Sequence, residues 1–169
     1  MELEKVSYTP LASVTAVFPQ EELGFVPQGV GVLMTEENPS EFQPSCLGIL
    51  FNSSSYVNRV ASPDHISLTL MYGGSKNPEL IFREEFRIER KVLKDLNLVF
   101  GLKTRSVPTK ISRWEKAIPV YNSQILNIQE QSKQGWCSVP GRIIFGNYTG
   151  QVSIRGMIEK LDSSIPSAK

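Results

Sequence analysis

The stretch Gly146-Asn147-Tyr148-Thr149-Gly150 carries the clearest chemical signal in this sequence. It follows an apolar run, Ile143-Ile144-Phe145, and precedes a segment of helical character from about Gln151. A strand, a loop bracketed by glycines and a helix start leave backbone N–H groups unpaired at the helix N-terminus. Such a terminus attracts an anionic group or an electron-rich carbonyl oxygen. Pattern alone favours the plainer account, a strand–loop–helix connection with Gly146 and Gly150 as turn residues. Elsewhere chemical signals are few. Gly29-Val30-Gly31 begins like a dinucleotide fingerprint, but Met34 stands where the third glycine belongs. There is no P-loop and no nucleophile elbow. His65, the only histidine, would need an orienting partner to act as a base, and the sequence identifies none. One His and two Cys are too few for an ordinary zinc-ligand cluster within one chain.

Period-two alternation predicts strands over residues 11–18, 29–35, 47–52 and 65–72. The stretches 36–44 and 52–63, rich in Asn, Ser, Pro and Glu, read as turns, which suggests an antiparallel meander. A helix is then expected from Asn77 as N-cap and Pro78 as first helical residue to about Leu98, ahead of Gly101. Its apolar positions Phe82, Phe86, Leu93 and Leu96 recur at nearly helical spacing, with mixed charges between them that read as a solvated face. A strand over residues 109–116 is halted by Pro119, a shorter helix covers 124–134, a strand covers 143–145, and a last helix closes the chain. The order is α+β rather than regular βαβ: a mostly antiparallel or mixed sheet of about five or six strands with two or three helices.

Composition narrows the partners. The chain has 169 residues, with Lys+Arg at 18 and Asp+Glu at 17, for a net charge of +1. A nucleic-acid partner calls for a clustered positive excess that is absent here. No run approaches the ~20 apolar residues of a membrane-spanning helix. The first residues lack a signal-peptide core, so the expectation is a cytoplasmic protein with Cys46 and Cys137 as buried thiols.

Five segments in one order resemble a known family. Residues 142–160, RIIFGNYTGQVSIRGMIEK, resemble the C-terminal flavin-contacting segment of protoporphyrinogen oxidases, of the flavin-containing amine oxidase superfamily, which reads roughly lflaGNyxGGVSVxdcIesG. Similarly, FVPQGVGVLMT (25–35) resembles GFGxLvP, LGILFNS (47–53) resembles LGxlFdS, SLTLMYGG (67–74) resembles rvTvmlGG, and WEKAIPVY (114–121) resembles WxxaiPqY. Departures exist. Gln151 replaces the second glycine of a Gly-Gly pair, Arg155-Gly156-Met157 replaces a small-acidic-Cys run, Val120 replaces Gln, Val30 an aromatic, and Asn122-Ser123 a Gly-His. The closing Ser-Gly is also missing.

The resemblance implies the C-terminal portion of such a flavoprotein, without the N-terminal half that holds the FAD diphosphate. It implies that residues 1–138 are substrate-domain-like and that 139–169 return to the FAD domain. Val152, Ser153 and Ile154 would then face the flavin, with Trp114 and Pro119 near the ring; ordinary core packing is the equal alternative for the last two. Leu33, Phe51 and Met71 would line the tetrapyrrole pocket, although large apolar strand residues are core residues by default. The parent activity would be oxidation of protoporphyrinogen IX to protoporphyrin IX with FAD and oxygen, in haem biosynthesis. No acid–base residue stands out, and the cofactor would carry the hard chemistry. By itself the chain is expected to be inactive and not to hold FAD. Its partner would be the missing FAD-binding half or a second copy of the chain, and its location cytoplasmic, peripheral at the membrane in the parent. Two alternatives stay open: a piece of another flavin oxidase acting on an amine or polyene, and a non-enzymatic module binding a hydrophobic ligand or a protein.

Overall fold

A computed structural model describes all residues except 1–2, 36–42, 57, 59, 61, 76 and 165–169. The strands are β1 (Tyr8–Pro19), β2 (Gly31–Leu33), β3 (Gly48–Phe51), β4 (His65–Gly73) and β5 (Thr109–Pro119). The α-helices are α1 (Asn52–Ser55), α2 (Glu85–Phe100), α3 (Ser123–Gln134) and α4 (Ile154–Ser164). The fold is the α+β class expected, with one five-stranded sheet in the order β2-β3-β4-β1-β5. It is not a plain meander. The strand β1 lies between β4 and β5, pairing with β4 antiparallel from Leu11 opposite Gly73 to Pro19 opposite His65. Turn chemistry sets which strands are joined, but β1 gains most by covering its apolar alternation in the middle of the sheet.

Contacts divide the chain into two units, Pro10–Glu115 and the pair of segments Met1–Thr9 and Lys116–Lys169. In the larger unit one face of the sheet is apolar. Val14, Ala16 and Phe18 of β1, Ile49 and Phe51 of β3, and Leu68, Leu70 and Tyr72 of β4 bury there with Ile88, Val92 and Leu96 of α2. Each large aliphatic or aromatic side chain so buried contributes about 1.5–3 kcal/mol of transfer free energy. Gly101, in the left-handed region at φ 75°, stops α2, its N–H returning to the Asn97 carbonyl at 2.8 Å.

Three expectations need correction. The helix predicted from Pro78 is broken: Pro78–Phe82 is a 3-10 turn, Arg83 and Glu84 are extended, and α2 starts at Glu85. Asn77 makes no side-chain cap. The break is filled by Arg113 of β5, whose Nε and Nη2 donate to the carbonyls of Ile81 and Arg83 at 2.7 and 3.1 Å. Those acceptors need no helical partner, and Leu80 and Ile81 turn into the core. The run Ile143–Ile144–Phe145 makes no strand, since it has no ladder to join among the described residues. The expected turn after Phe51 begins instead with the short helix α1; the turn at 36–44 falls largely outside the described residues.

The smaller unit has its own cluster, Val6, Ile125 and Ile128, with Tyr8 and Tyr148 against it. Asn122, a departure from the family pattern, caps α3: its Oδ1 accepts from the Ile125 N–H at 3.1 Å.

Candidate functional site

The chemistry-bearing loop is built rather than permissive. In the smaller unit β5 ends at the buried Pro119, and the Val120 N–H donates to the Ser7 carbonyl at 2.9 Å. Asn147 ties the loop to this strand end, its Nδ2 donating to the Ala117 carbonyl at 3.5 Å. Tyr121 donates its hydroxyl to the Asn147 carbonyl. Gln129 of α3 donates to the Tyr148 carbonyl at 2.7 Å, and the Thr149 hydroxyl to the Gly146 carbonyl at 2.7 Å. The Tyr148 phenol is held above its ordinary value by burial and then by Tyr8. Gly150 stands in the left-handed region, φ 101° and ψ −1°, where a side chain is strained. Ser153 then caps α4: its Oγ accepts from the Gly156 N–H at 3.0 Å, and its carbonyl from the Met157 N–H at 2.9 Å. Helix geometry leaves the N–H groups of Ile154 and Arg155 without an intrahelical partner. Val152 and Ser153 are exposed, and Ile154 is 74% exposed. The segment can thus receive a flat ring with an electron-rich carbonyl edge. Pro119 shares the neighbourhood of this loop through Ala117 and Tyr121.

In the larger unit the second face of the sheet is open. Leu33 stands opposite Gly48, Gly48 opposite Met71, and Met71 opposite Ser13, and directly opposed residues share a face. Leu50, two residues from Gly48, joins them. Arg113 reaches Ile81 on the core side, so strand alternation puts Trp114 on the open side. Leu33 is 83% and Trp114 57% exposed; Trp114 is not a core residue. Phe51 is not brought to this face. It is buried on the other one, with its ring 5.9 Å from that of Phe100.

A polar ladder that sequence reasoning missed crosses the same face where α1 covers it, so that Asn52 and Ser67 are buried. Thr15 and Thr69 place their hydroxyls 2.9 Å apart. Asn52 donates its Nδ2 to Thr69 Oγ1 at 2.7 Å and to Ser67 Oγ at 3.1 Å. The signal was present in the alternate positions Ser13, Thr15, Ser67 and Thr69 of two apolar strands.

Also missed was Asp95, fully buried on the core stripe of α2. Its carboxylate accepts from the Ser45 and Cys46 N–H groups at 2.9 Å each and from the Tyr72 hydroxyl at 3.1 Å. Burial, and then the Asp95 charge, push the Cys46 thiol up to about 12 and raise the Tyr72 phenol. This cluster is a clamp holding the segment before β3 onto α2. Cys46 is buried as expected, whereas Cys137 is only half-buried. His65 contacts Asp64 at 3.1 Å in an exposed turn. The Ser62 hydroxyl and then His65 hold the Asp64 carboxyl below its usual range. No group of three or more potential metal ligands occurs among the described residues, and no helix there is long and apolar enough to cross a membrane.

No family model matches the chain. Plant proteins do. It is 29% identical to protoporphyrinogen oxidase 2, chloroplastic/mitochondrial, of Arabidopsis thaliana, over 90% of the chain and 30% of that protein. It is 29% identical to the mitochondrial protoporphyrinogen oxidase of Nicotiana tabacum, again over 90% of the chain and 30% of the relative. The chain therefore spans about a third of the length of the curated relatives it matches. Among solved structures, an Exiguobacterium protein provisionally assigned as a protoporphyrinogen oxidase superposes with a TM-score of 0.63 at 22% identity, covering 97% of this chain and 37% of that one. A reduced UDP-galactopyranose mutase superposes at 0.57 with 17% identity, covering 80% and 27%. At those identities the structures speak for the fold alone. The plant relatives speak for descent, and the chain is a segment related to the protoporphyrinogen oxidases, as its motifs imply.

Proposed function

We propose that the chain is the C-terminal portion of a protoporphyrinogen-oxidase-like flavoprotein, which oxidises protoporphyrinogen IX to protoporphyrin IX with FAD and oxygen. The open sheet face carries this reading. Leu33, Leu50, Met71 and Trp114 stand there as exposed or half-exposed apolar groups on one face of the sheet. A macrocycle offers area more than hydrogen bonds, and each Å² of apolar surface it covers contributes about 25 cal/mol. These four residues bind and orient it. Phe51, held against Phe100, shapes the strand from below. FAD, when bound, supplies hydride-acceptor chemistry. The α4 start suits that group: Ser153 fixes the helix end, the Ile154 and Arg155 N–H groups oppose developing negative charge, and Val152 and Ile154 exclude water. Pro119 stiffens the strand end beside the loop.

On this reading residues 1–138 serve the substrate and 139–169 return to the FAD-binding half. That half, or a second copy, would cover Ile143, Phe145, Val152, Ile154 and Ile158, all exposed here. Apolar groups gathered in this number mark an interface. The location we assign is cytoplasmic, peripheral at a membrane for the whole enzyme.

Titrating a Trp136→Phe variant with protoporphyrin IX while following Trp114 fluorescence tests the proposal. Saturable quenching is expected, weakened by Met71→Asp. Absence of quenching counts against the tetrapyrrole reading. A second reading, a flavin oxidase of an amine or polyene, draws on the hydroxyls of Thr15 and Thr69 in the middle of the face. It would be preferred if a polyene quenched and the porphyrin did not.

A further inference from the structure

We propose that the smaller unit holds a separate binding site for an amphipathic anion with an apolar body and one carboxylate head. A cavity of about 630 Å³ opens between α3, the irregular segment 137–144 and α4. That volume lies within the roughly 300–1,000 Å³ of small-molecule sites. Its apolar wall includes Ile128, Val139, Ile143 and Ile144. Val139 and Ile143 are large and exposed, so an apolar occupant would release the water they now order.

The charged side chains described on the cavity wall are all cations. Lys133 comes from α3, Arg142 from the irregular segment and Lys160 from α4, and among the described residues no Asp or Glu lines the cavity. The Arg142 guanidinium lies 4.4 Å over the Trp136 ring. That stacking restrains its plane, and a restrained guanidinium fork matches a carboxylate in two parallel hydrogen bonds. Lys160 donates to the Thr149 carbonyl and so stays at the rim. The Lys133–Glu130 pair, 3.8 Å apart and exposed, competes weakly for its cation. Three cations on three elements converge on an apolar hollow. A neutral hydrocarbon leaves their field unused, and a small inorganic anion leaves the hollow unfilled. An acyl carboxylate satisfies both. The residues differ from those of the sheet face, so this proposal and the tetrapyrrole reading fail separately; Ile143 is shared with the surface assigned above to the FAD-binding half or a second copy, so the site is one of the chain without that partner seated.

Cys137, a half-buried free thiol on the cavity wall, is a built-in reporter. The experiment follows N-ethylmaleimide modification of Cys137 in the full chain by mass spectrometry, with dodecanoate, dodecanol or acetate added. Dodecanoate is expected to slow the reaction several-fold at concentrations where dodecanol and acetate do little. Arg142→Gln is expected to remove most of that difference. Added salt should weaken dodecanoate protection in the unaltered chain, since it screens the head-group attraction; this readout holds even if the variant fails to fold. Equal protection by dodecanoate and dodecanol, protection by neither, or protection indifferent to salt would overturn the proposal.

Discussion

Replacing Asp95 by Leu tests whether the core is specified by area alone or by a buried acceptor. The carboxylate accepts from four donors: the N–H groups of Ser45 and Cys46 and the hydroxyls of Ser45 and Tyr72. Ser45 is half-buried, so water can replace its lost partner, while Cys46 and Tyr72 are buried. Each stranded buried donor costs about 1–3 kcal/mol, so the two together cost about 2–6 kcal/mol. That is a large share of the ~5–15 kcal/mol that holds an ordinary domain folded. At roughly 2–4 °C per kcal/mol for a chain of this size, the thermal midpoint should fall by on the order of 10 °C. Urea unfolding followed by circular dichroism measures the change. Tyr72→Phe alone should cost only about 1 kcal/mol, because it removes a donor and leaves the carboxylate with its backbone partners. In the double variant it should return part of the Asp95→Leu loss, since one orphan disappears. A loss under about 1 kcal/mol for Asp95→Leu would refute the clamp, because two buried donors cannot be stranded so cheaply.

Four further outcomes follow from the geometry. Gly150→Val, forcing a side chain to φ 101°, should cost about 1–3 kcal/mol, and an unchanged melting midpoint would remove the conformational basis for the flavin-facing role of Val152, Ser153 and Ile154. Arg113→Ala should lower stability by about 1–3 kcal/mol by stranding the carbonyl of the buried Ile81, water replacing the bond to the exposed Arg83, read in the same urea titration. The Cys46 thiol, pushed up to about 12 from 9.0, keeps its proton in the folded chain while the unfolded chain loses its own; stability should therefore be full below pH 9 and decline above it, and Cys46→Ala should flatten that decline in pH-dependent unfolding. Trp114→Ala, at an exposed position, should shift stability by no more than about 0.5 kcal/mol yet weaken protoporphyrin binding, now followed by porphyrin absorbance; a large stability loss with unchanged binding would show a packing role instead.

Local chemistry makes much of this protein legible in its sequence. The strands are marked by alternation, because a half-buried strand must alternate. Pro119 marks the end of β5, and α3 begins within one residue of its expected start. The family resemblance is legible for a different reason: its motifs sit at turns and glycines whose backbone conformations tolerate few substitutes. Leu33, Met71 and Trp114 can be named from those motifs, but not placed.

Placement needs the tertiary structure. Whether an apolar strand residue faces the core or the open side depends on register, and one residue of slip reverses it. Met71 and Phe51 are both large and apolar on neighbouring strands, yet the ladder that sets Gly48 opposite Met71 sends Phe51 to the other face. The helix break at Arg83 depends on Arg113, thirty residues away in the chain, and no propensity at Pro78 or Glu79 encodes that. Ile143–Ile144–Phe145 has the composition of a strand but only a neighbour can make it one. The polar ladder of Thr15, Thr69 and Asn52 and the Asp95 clamp join segments far apart in sequence. Composition and periodicity marked most of the elements that form. Long-range hydrogen bonds decided which faces they present, because a buried polar group is stable only where a distant partner meets it.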